Sequence, residues 1–524
     1  MRYINKELFR ENLLLPDTKK RALLYLRGYN NLKKSSNIEF VASIKNKLGR
    51  STISNKPIKQ IYHIPKEICL HQFICHRRLS VDFTKELLIS INNPKKEIKY
   101  GLPKNWRNLL SNEGFKLSII SKINWTVYKF KWLLVGLYFG FKEIKRFFKN
   151  KNFPQKKYIH SIGITRNNLS KEENLNNFFN WLKKQNEVEE YGFFTHTCTH
   201  KQHIIGKDKK ITFVDNDLPP LPNFRMLLKF TFWLFYNTIK GLALNDEVLI
   251  FYEKVKEKLV LYSEKKSLAK KYFFNHQYAL LRPLWTYQNE NKNFEIILYF
   301  YSTNNISFKF INKKHKQHYN WHLSNWDTYW VWNTSQKKFL IGNCLNKPKI
   351  TIKGPISFED FKLIKTDYPQ KSILVFDVQP YRDYYYPLLG LEHDYYTFKN
   401  SNTFFKHIEK ISLDLNITII LKRKRLSKHV SNDYVRLINE LLQNSNWIEI
   451  DPRVSSFSAI KMIKPSAVIS TPFTSAAFVP FKKNIPSVYY DPSNKLDPNF
   501  YANNGVPLIQ SFKELHYWIS KTYK

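Results

Sequence analysis

Cysteine is scarce in this sequence. Cys69, Cys75, Cys198 and Cys344 are the only four in 524 residues, which excludes a dense disulfide framework and makes a reducing compartment the default. Long apolar runs are missing as well. The run from Trp132 to Phe141 comes closest, well short of the roughly 18 to 20 residues that span a bilayer. The charged start "MRYINKELFRENLLLPDTKKRALLYL" lacks the apolar core and small-residue cleavage site of a signal peptide, so a cytoplasmic protein is expected. Acidic residues are few: 42 Asp plus Glu face 85 Lys plus Arg, a formal net charge of +43. Such a balance in general suggests nucleic acid, an anionic membrane or a phosphate-rich substrate. The basic residues are spread rather than blocked, however, and abundant Lys, Asn and Ile with only 14 Gly is also what an AT-biased coding sequence produces. No zinc finger, RNP-type aromatic pair or compact recognition-helix pattern accompanies the charge, so nucleic acid is not an expected partner.

Apolar material is plentiful, at 43 % hydrophobic and 16 % aromatic residues, enough for the cores of two or three domains. Residues 1–150 have helical texture with many charges. From residue 151 to 367, short β-rich runs such as "YIHSIGIT", "KITFVD" and "FEIILYFYSTNN" alternate with helical stretches such as "LSKEENLNNFFNWLKKQN", the pattern of an α/β layer. A second unit, 368–524, alternates more regularly. Its strands 372–378, 417–422, "WIEID", 467–471 and "SVYYD" are continuous apolar runs, as in a parallel sheet covered on both faces. Its helix "NDYVRLINELLQNS" carries Val435, Ile438, Leu441 and Leu442 at helical spacing. Two segments mix aromatics with lysines, the one around Trp132–Phe141 and "FRMLLKFTFWLFYNTIK" at 224–240. Each reads either as a helix lying on an anionic membrane surface or as a core helix with snorkelling lysines. The first is open between the two, and the second is expected in the core.

Ligands of open parallel sheets bind beyond the carboxyl ends of the strands, so the residues just after each strand of 368–524 are the candidates. These are Asp377 to Asp383, Lys422 to Lys424, Asp451 to Ser456 with Ser455 and Ser456, Thr471 to Ser475, and Tyr490 to Pro492 with Asp491. Lys422, Lys424 and the arginines beside them offer positive charge for a phosphate, and Thr474 and Ser475 offer hydroxyls and N–H groups at a helix start. The competing reading makes Thr474 or Ser475 a helix N-cap, worth about 1 kcal/mol.

Pro472-Phe473-Thr474-Ser475 resembles the motif after which the bacterial PFTS polysaccharide biosynthesis proteins are named. "RPLWTY" (282–287), "LYFYSTNN" (298–305), "NWDTYWVWN" (325–333), "ILVFDVQPYR" (373–382) and "IPSVYYDPS" (485–493) are similar to the same family. More distantly, 368–524 resembles the nucleotide-binding half of two-domain (GT-B type) glycosyltransferases such as bacterial sialyl- and Kdo-transferases. Here, though, "KRKRLSKH" replaces the His-Pro pair that often follows the basic strand there, and Pro480 shortens the helix after the motif. The resemblance implies an α/β fold of two facing Rossmann-like domains with an extra helical N-terminal region. It implies a glycosyltransferase of surface polysaccharide biosynthesis that moves a sugar from a nucleotide-sugar, CMP-linked by analogy, to a glycan or lipid-linked acceptor. No cofactor or metal is implied, and the acceptor side would face the inner leaflet of the membrane. A CDP-polyol phosphotransferase and a non-catalytic assembly protein are the alternatives. Thr474, Ser475, the N–H groups of their helix and Lys422 or Lys424 would neutralise the leaving phosphate, Thr471, Ser455 and Ser456 would line the same donor site, and Asp377 and Asp491 would hold ribose hydroxyls or simply form turns.

The general base should come from the opposing domain, with Asp215, Asp217, His322 and Asp327 as unranked candidates. The last two lie in "YNWHLSNWDTYWVWN", whose rings would stack on sugars or fill a core. Asp215-Asn216-Asp217 also has the form of a metal-holding acidic pair, but "DNDLPP" is an ordinary turn sequence and that reading is preferred. "THTCTHKQH", with His196, Cys198, His200 and His203, has no second cluster to complete a zinc site and is expected to be a strand.

Overall fold

Among the described residues the chain opens with helices α1 (Ser35–Arg50), α2 (Pro65–Arg78), α3 (Val81–Asn92), α4 (Lys104–Asn112) and the long α5 (Ile119–Phe148), with a single turn, Ile58–Ile61, before α2. The computed structural model describes residues 35–52, 56–149, 158–162, 178–185, 192–196, 211–213, 217–303, 305–306, 308–312, 319–356, 368–369, 372–380, 395–423, 430–452 and 454–523. Asp215, Lys424, Cys198, His200 and His203 lie outside the described residues. Pro65 opens α2 at the first helical position, where its missing N–H costs nothing. The helices enclose Ile44, Leu48, Phe73, Leu87 and Trp106, and the same cluster takes in Leu280, Leu284 and Leu323 from the sheet domain behind them. Gln72 on α2 ties the two: its Nε2 donates to Leu323 O at 2.7 Å, and Arg282 N donates to its Oε1 at 3.2 Å.

The first α/β unit runs through β1 (Tyr158–Ile162), α6 (Phe178–Lys184), β2 (Gly192–His196), β3 (Ile211–Phe213), α7 (Phe224–Gly241), α8 (Phe251–Tyr262), β4 (Lys271–Asn275), β5 (Glu295–Tyr299), β6 (Thr328–Val331), α9 (Thr334–Asn343) and β7 (Lys349–Ile352). All seven strands pair in parallel, in the order β3-β2-β1-β4-β5-β6-β7. The second unit comprises β8 (Ser372–Phe376), α10 (Phe398–Leu415), β9 (Thr418–Lys422), α11 (Asn432–Leu441), β10 (Trp447–Glu449), α12 (Ser456–Ile463), β11 (Ala467–Ser470), α13 (Ser475–Lys482), β12 (Ser487–Tyr490), β13 (Leu508–Ile509) and α14 (Phe512–Tyr523). Its parallel order is β10-β9-β8-β11-β12-β13. Each sheet therefore reverses direction once, between β1 and β4 and between β8 and β11, which opens a crevice at the carboxyl ends of those strands. This is the α/β fold of two Rossmann-like domains with a helical N-terminal region.

The connection from β5 to β6 reaches across to the second domain. Phe310 bridges to Leu496, Ile311 N donates to Lys495 O at 2.8 Å, and Lys309 pairs with Asp497 at 2.7 Å. Trp332 packs on Phe478, and Phe308 packs on Phe473 and Tyr395. The tryptophans of "NWDTYWVWN" are core residues: Trp326, Trp330 and Trp332 are all buried, with Trp326 Nε1 donating to Tyr278 O and Trp332 Nε1 to Phe300 O. On α11 the buried stripe is Tyr434, Leu437, Ile438 and Leu441. Ile438 and Leu441 are buried as expected, whereas Val435 faces solvent and Tyr434 and Leu437 complete the inward face.

Candidate functional site

The crevice of the second domain lies between the ends of β8 and β11. Asp377 follows β8 and Thr471 follows β11, whose N–H donates to Phe376 O at 3.1 Å, so the two residues sit side by side at the reversal. Asp377 is 3 % exposed. Its Oδ2 accepts from the Tyr434 hydroxyl, while Oδ1 is buried with no partner among the described residues. Burial pushes this carboxyl up to about 6, against the Tyr434 hydrogen bond and the charges of Arg423 and Lys422, which act the other way. Thr471 Oγ1 is likewise buried and without a partner among the described residues. Native structures pair nearly all buried polar atoms, and these two lie next to each other at the strand reversal, where a bound group would reach both.

The remaining expected donor residues fall into two groups. Lys422, at the end of β9, is buried and donates to Arg423 O at 2.6 Å and Pro452 O at 3.1 Å. That leaves one of its three N–H bonds for a ligand. Burial lowers its pKa, and Asp377, Glu449 and Asp451 raise it again. Arg423 is occupied by Glu449, with Nη2 donating to Oε2 at 2.8 Å. Ser456 begins α12 at the same edge, and Ser455 is its N-cap, accepting from Ser458 N at 3.0 Å. Asp491 belongs elsewhere. It is completely buried, and its two oxygens accept from Tyr395, Gln510, the Ser493 hydroxyl and the N–H groups of Ser493, Lys495 and Leu496. Its carboxylate is consumed in holding the turn after β12, the turn-forming one of its two readings.

The PFTS turn is pinned at every residue. The Tyr396 hydroxyl donates to Pro472 O at 2.6 Å, and Phe473 is buried against Phe308 and Tyr489. The Tyr489 hydroxyl donates to Thr474 O at 2.6 Å. Thr474 occupies the N-cap position of α13, yet its side chain makes no cap bond; its hydroxyl pairs with Ser470 Oγ at 2.6 Å. The first N–H groups of α13 are consequently left without a side-chain cap, at the positive end of a helix. Ser475 Oγ accepts from Thr303 N at 3.0 Å, with Thr303 Oγ1 3.2 Å away. Thr303 follows β5, so this hydroxyl is a clasp between domains. Ser475→Ala should lower stability by about 0.5–1.5 kcal/mol in chemical denaturation. Thr303→Ala should cost less, since its backbone N–H still reaches Ser475.

The clasp places the carboxyl edge of the first sheet opposite the crevice. His276, just after β4, stacks on Tyr301 with ring centroids 4.1 Å apart, and its Nδ1 accepts from Tyr301 N at 3.2 Å. The protein packed around the ring lowers its pKa to about 3, so it is neutral, carries its proton on Nε2 and presents a donor. Sequence reasoning missed His276, although the strand-end rule applied to "YFFNHQY" would have found it.

Of the expected base candidates, His322 and Asp327 are not brought to this edge. Asp327 precedes β6 and so sits at the amino edge, held by Arg282 through Nη1–Oδ1 at 2.8 Å and Nη2–Oδ2 at 2.7 Å. His322 also precedes β6, in the short helix Tyr319–His322 that packs on α1, and burial with Arg50 and Lys59 nearby lowers its pKa. Asp217 is paired with Lys256 at 2.9 Å, beside His160. His322 and Asp327 therefore lie in the first α/β domain but away from its carboxyl edge, and Asp217 is occupied by a cation.

Among solved structures, the chain is similar to TarM, at 10 % identity and TM-score 0.32, covering 51 % of each chain. It is also similar to the wall teichoic acid polymerase TagF, at 12 % identity and TM-score 0.36, covering 76 % of this chain and 92 % of that one. The UDP-GlcNAc 2-epimerase of Methanocaldococcus jannaschii is similar at 8 % identity and TM-score 0.35, covering 70 % and 91 %. The chain thus spans about half the length of TarM. No curated protein matches its sequence. The model of the polysaccharide biosynthesis PFTS motif proteins matches residues 238–519, more than half of the chain and both α/β domains from α7 onward, and the chain belongs to that family.

Proposed function

We propose that this protein is a glycosyltransferase that takes a sugar from a nucleotide-sugar donor and passes it to a glycan or lipid-linked acceptor during surface polysaccharide synthesis. The observation that carries this reading is the pair of buried, unpartnered oxygens, Asp377 Oδ1 and Thr471 Oγ1, at the strand reversal of the second sheet. A nucleotide bound there gives both a partner. Asp377 accepts from a ribose hydroxyl, and Thr471 donates to a phosphate or a sugar oxygen.

Charge placement supports the same orientation. A carboxylate repels phosphate, so the ribose takes the Asp377 end. The phosphates lie toward the uncapped N–H groups of α13, on the β11 side of Asp377, and Lys422, at the end of β9 on its other side, partly offsets the Asp377 charge. As the sugar–phosphate bond breaks, negative charge grows on the leaving phosphate, and donors already fixed in place stabilise that charge more than they stabilise the ground state. His276, just after β4 at the carboxyl edge of the opposite domain, offers an Nε2–H donor.

The test is a transfer and binding screen with CMP-, CDP-, UDP- and GDP-linked sugars and polyols. One nucleotide class should bind, and its sugar conjugate should be turned over. Binding of none contradicts the reading, and transfer of a whole polyol phosphate from a CDP-polyol would make the protein a phosphotransferase instead.

A further inference from the structure

The face formed by α5 and α7 is built the wrong way round for a water-facing surface. The two helices pack antiparallel: Leu133 meets Gly241, Leu234 meets Gly140, and the rings of Phe141 and Phe235 are 5.9 Å apart. A Cβ on Gly140 would lie 2.4 Å from Leu234 Cδ1, so glycine is what lets the helices approach this closely. Their outward stripes are apolar at helical spacing, Ile123, Phe130, Leu134, Tyr138 and Phe141 on α5 and Phe224, Leu228, Phe232, Phe235, Tyr236 and Ile239 on α7. Phe232 is 75 % exposed and Ile239 68 %. A soluble monomer rarely leaves so many large side chains together in water.

Charge identifies what covers them. The only acidic residue on either helix is Glu143, which is buried and paired with Arg146 at 2.9 Å. Lys122, Lys145, Arg225, Lys229 and Lys240 are exposed along the flanks of the apolar stripes. An apolar strip edged by cations, with no exposed anion on either helix, complements a lipid surface in which acyl chains lie beneath anionic headgroups. Neither helix is long and apolar enough to cross a membrane, which fits a pair lying flat in the interface. We infer that the α5–α7 face docks the protein onto an anionic lipid bilayer. This goes beyond the transferase reading and stands without it, since it rests on a different part of the molecule.

The full chain should co-sediment with phosphatidylcholine vesicles containing phosphatidylglycerol and bind pure phosphatidylcholine more weakly. Phe232→Glu with Ile239→Glu, both solvent-facing, should leave the circular dichroism and melting curve unchanged and weaken vesicle binding about tenfold or more. Arg225→Gln with Lys229→Gln and Lys240→Gln should weaken binding to the anionic vesicles and flatten its salt dependence. Absence of binding to anionic vesicles, or wild-type binding by the Glu variant, overturns the inference. So does sedimentation velocity showing a dimer that the Glu variant dissociates, because a second copy of the chain would then be the occupant.

Discussion

Asp377→Asn should make the protein more stable and poorer at binding its donor. The wild-type carboxyl is 3 % exposed, with one oxygen bonded to Tyr434 and the other to no described residue. Its pKa in the folded protein, about 6, lies above the ordinary 3.8. The native state therefore holds the proton more tightly than the unfolded chain. Stability contributed by this group is full below about pH 4, falls as pH rises to about 6, and is absent at pH 7. An asparagine keeps an acceptor for the Tyr434 hydroxyl and carries no charge to desolvate. The expected gain at pH 7 is about 1–3 kcal/mol by urea denaturation, shrinking toward zero near pH 4. Donor affinity should fall roughly tenfold to a hundredfold, as when a charged acceptor is lost from a ligand hydroxyl. Loss of stability at pH 7 would show instead that Asp377 is a structural carboxylate like Asp491.

Asp327→Ala should do the opposite, destabilising the fold while leaving donor binding alone. Arg282, at 2 % exposure, is stacked against Tyr287 at 4.0 Å and forks onto Asp327. It also donates to Asn325 O at 2.8 Å and Thr286 Oγ1 at 3.0 Å. Removing the carboxylate strands a buried guanidinium, a change that costs 3–5 kcal/mol where both partners are buried. Asp327 is half exposed, so water takes part of its place and about 2–3 kcal/mol is expected. A general base predicts the reverse pattern, transfer abolished at wild-type stability. Denaturation curves and turnover measured on the same preparation separate the two.

The second domain was largely legible in the sequence because its strands are buried on both faces and its helices on one. Continuous runs such as "SILVF" and "AVIS" have no other stable use than a covered parallel sheet, and the strand-end rule then places Asp377, Lys422 and Thr471 at one edge. The first domain was harder to read. Its strands β4, β6 and β7 lie among polar and aromatic residues without alternation, so His276 passed unnoticed and His322 and Asp327 were not seen to lie away from the carboxyl edge. Which end of β6 those two occupy depends on where the strand begins, and a tryptophan-rich segment does not announce that. Asp491 and the PFTS hydroxyls show a different limit. Spacing identifies a polar group at a strand end, but only the three-dimensional partners reveal whether it is already bonded: Asp491 to its own turn, Thr474 to Ser470, Ser475 across the domains to Thr303. Conversely, the emptiness of Asp377 Oδ1 and Thr471 Oγ1 is visible only in three dimensions. The exposed stripe of "FRMLLKFTFWLFYNTIK" was expected in the core because aromatics usually are there, whereas the fold buries only Leu227, Phe230, Leu234 and Gly241 of that helix.

The most direct measurement is a crystal structure of the protein with the nucleotide that the binding screen selects. It should show the nucleotide in the crevice between β8 and β11, with a ribose hydroxyl within about 3 Å of Asp377 Oδ1 and a phosphate at the start of α13. A nucleotide seated anywhere else, with Asp377 Oδ1 and Thr471 Oγ1 still unpartnered, would contradict the account.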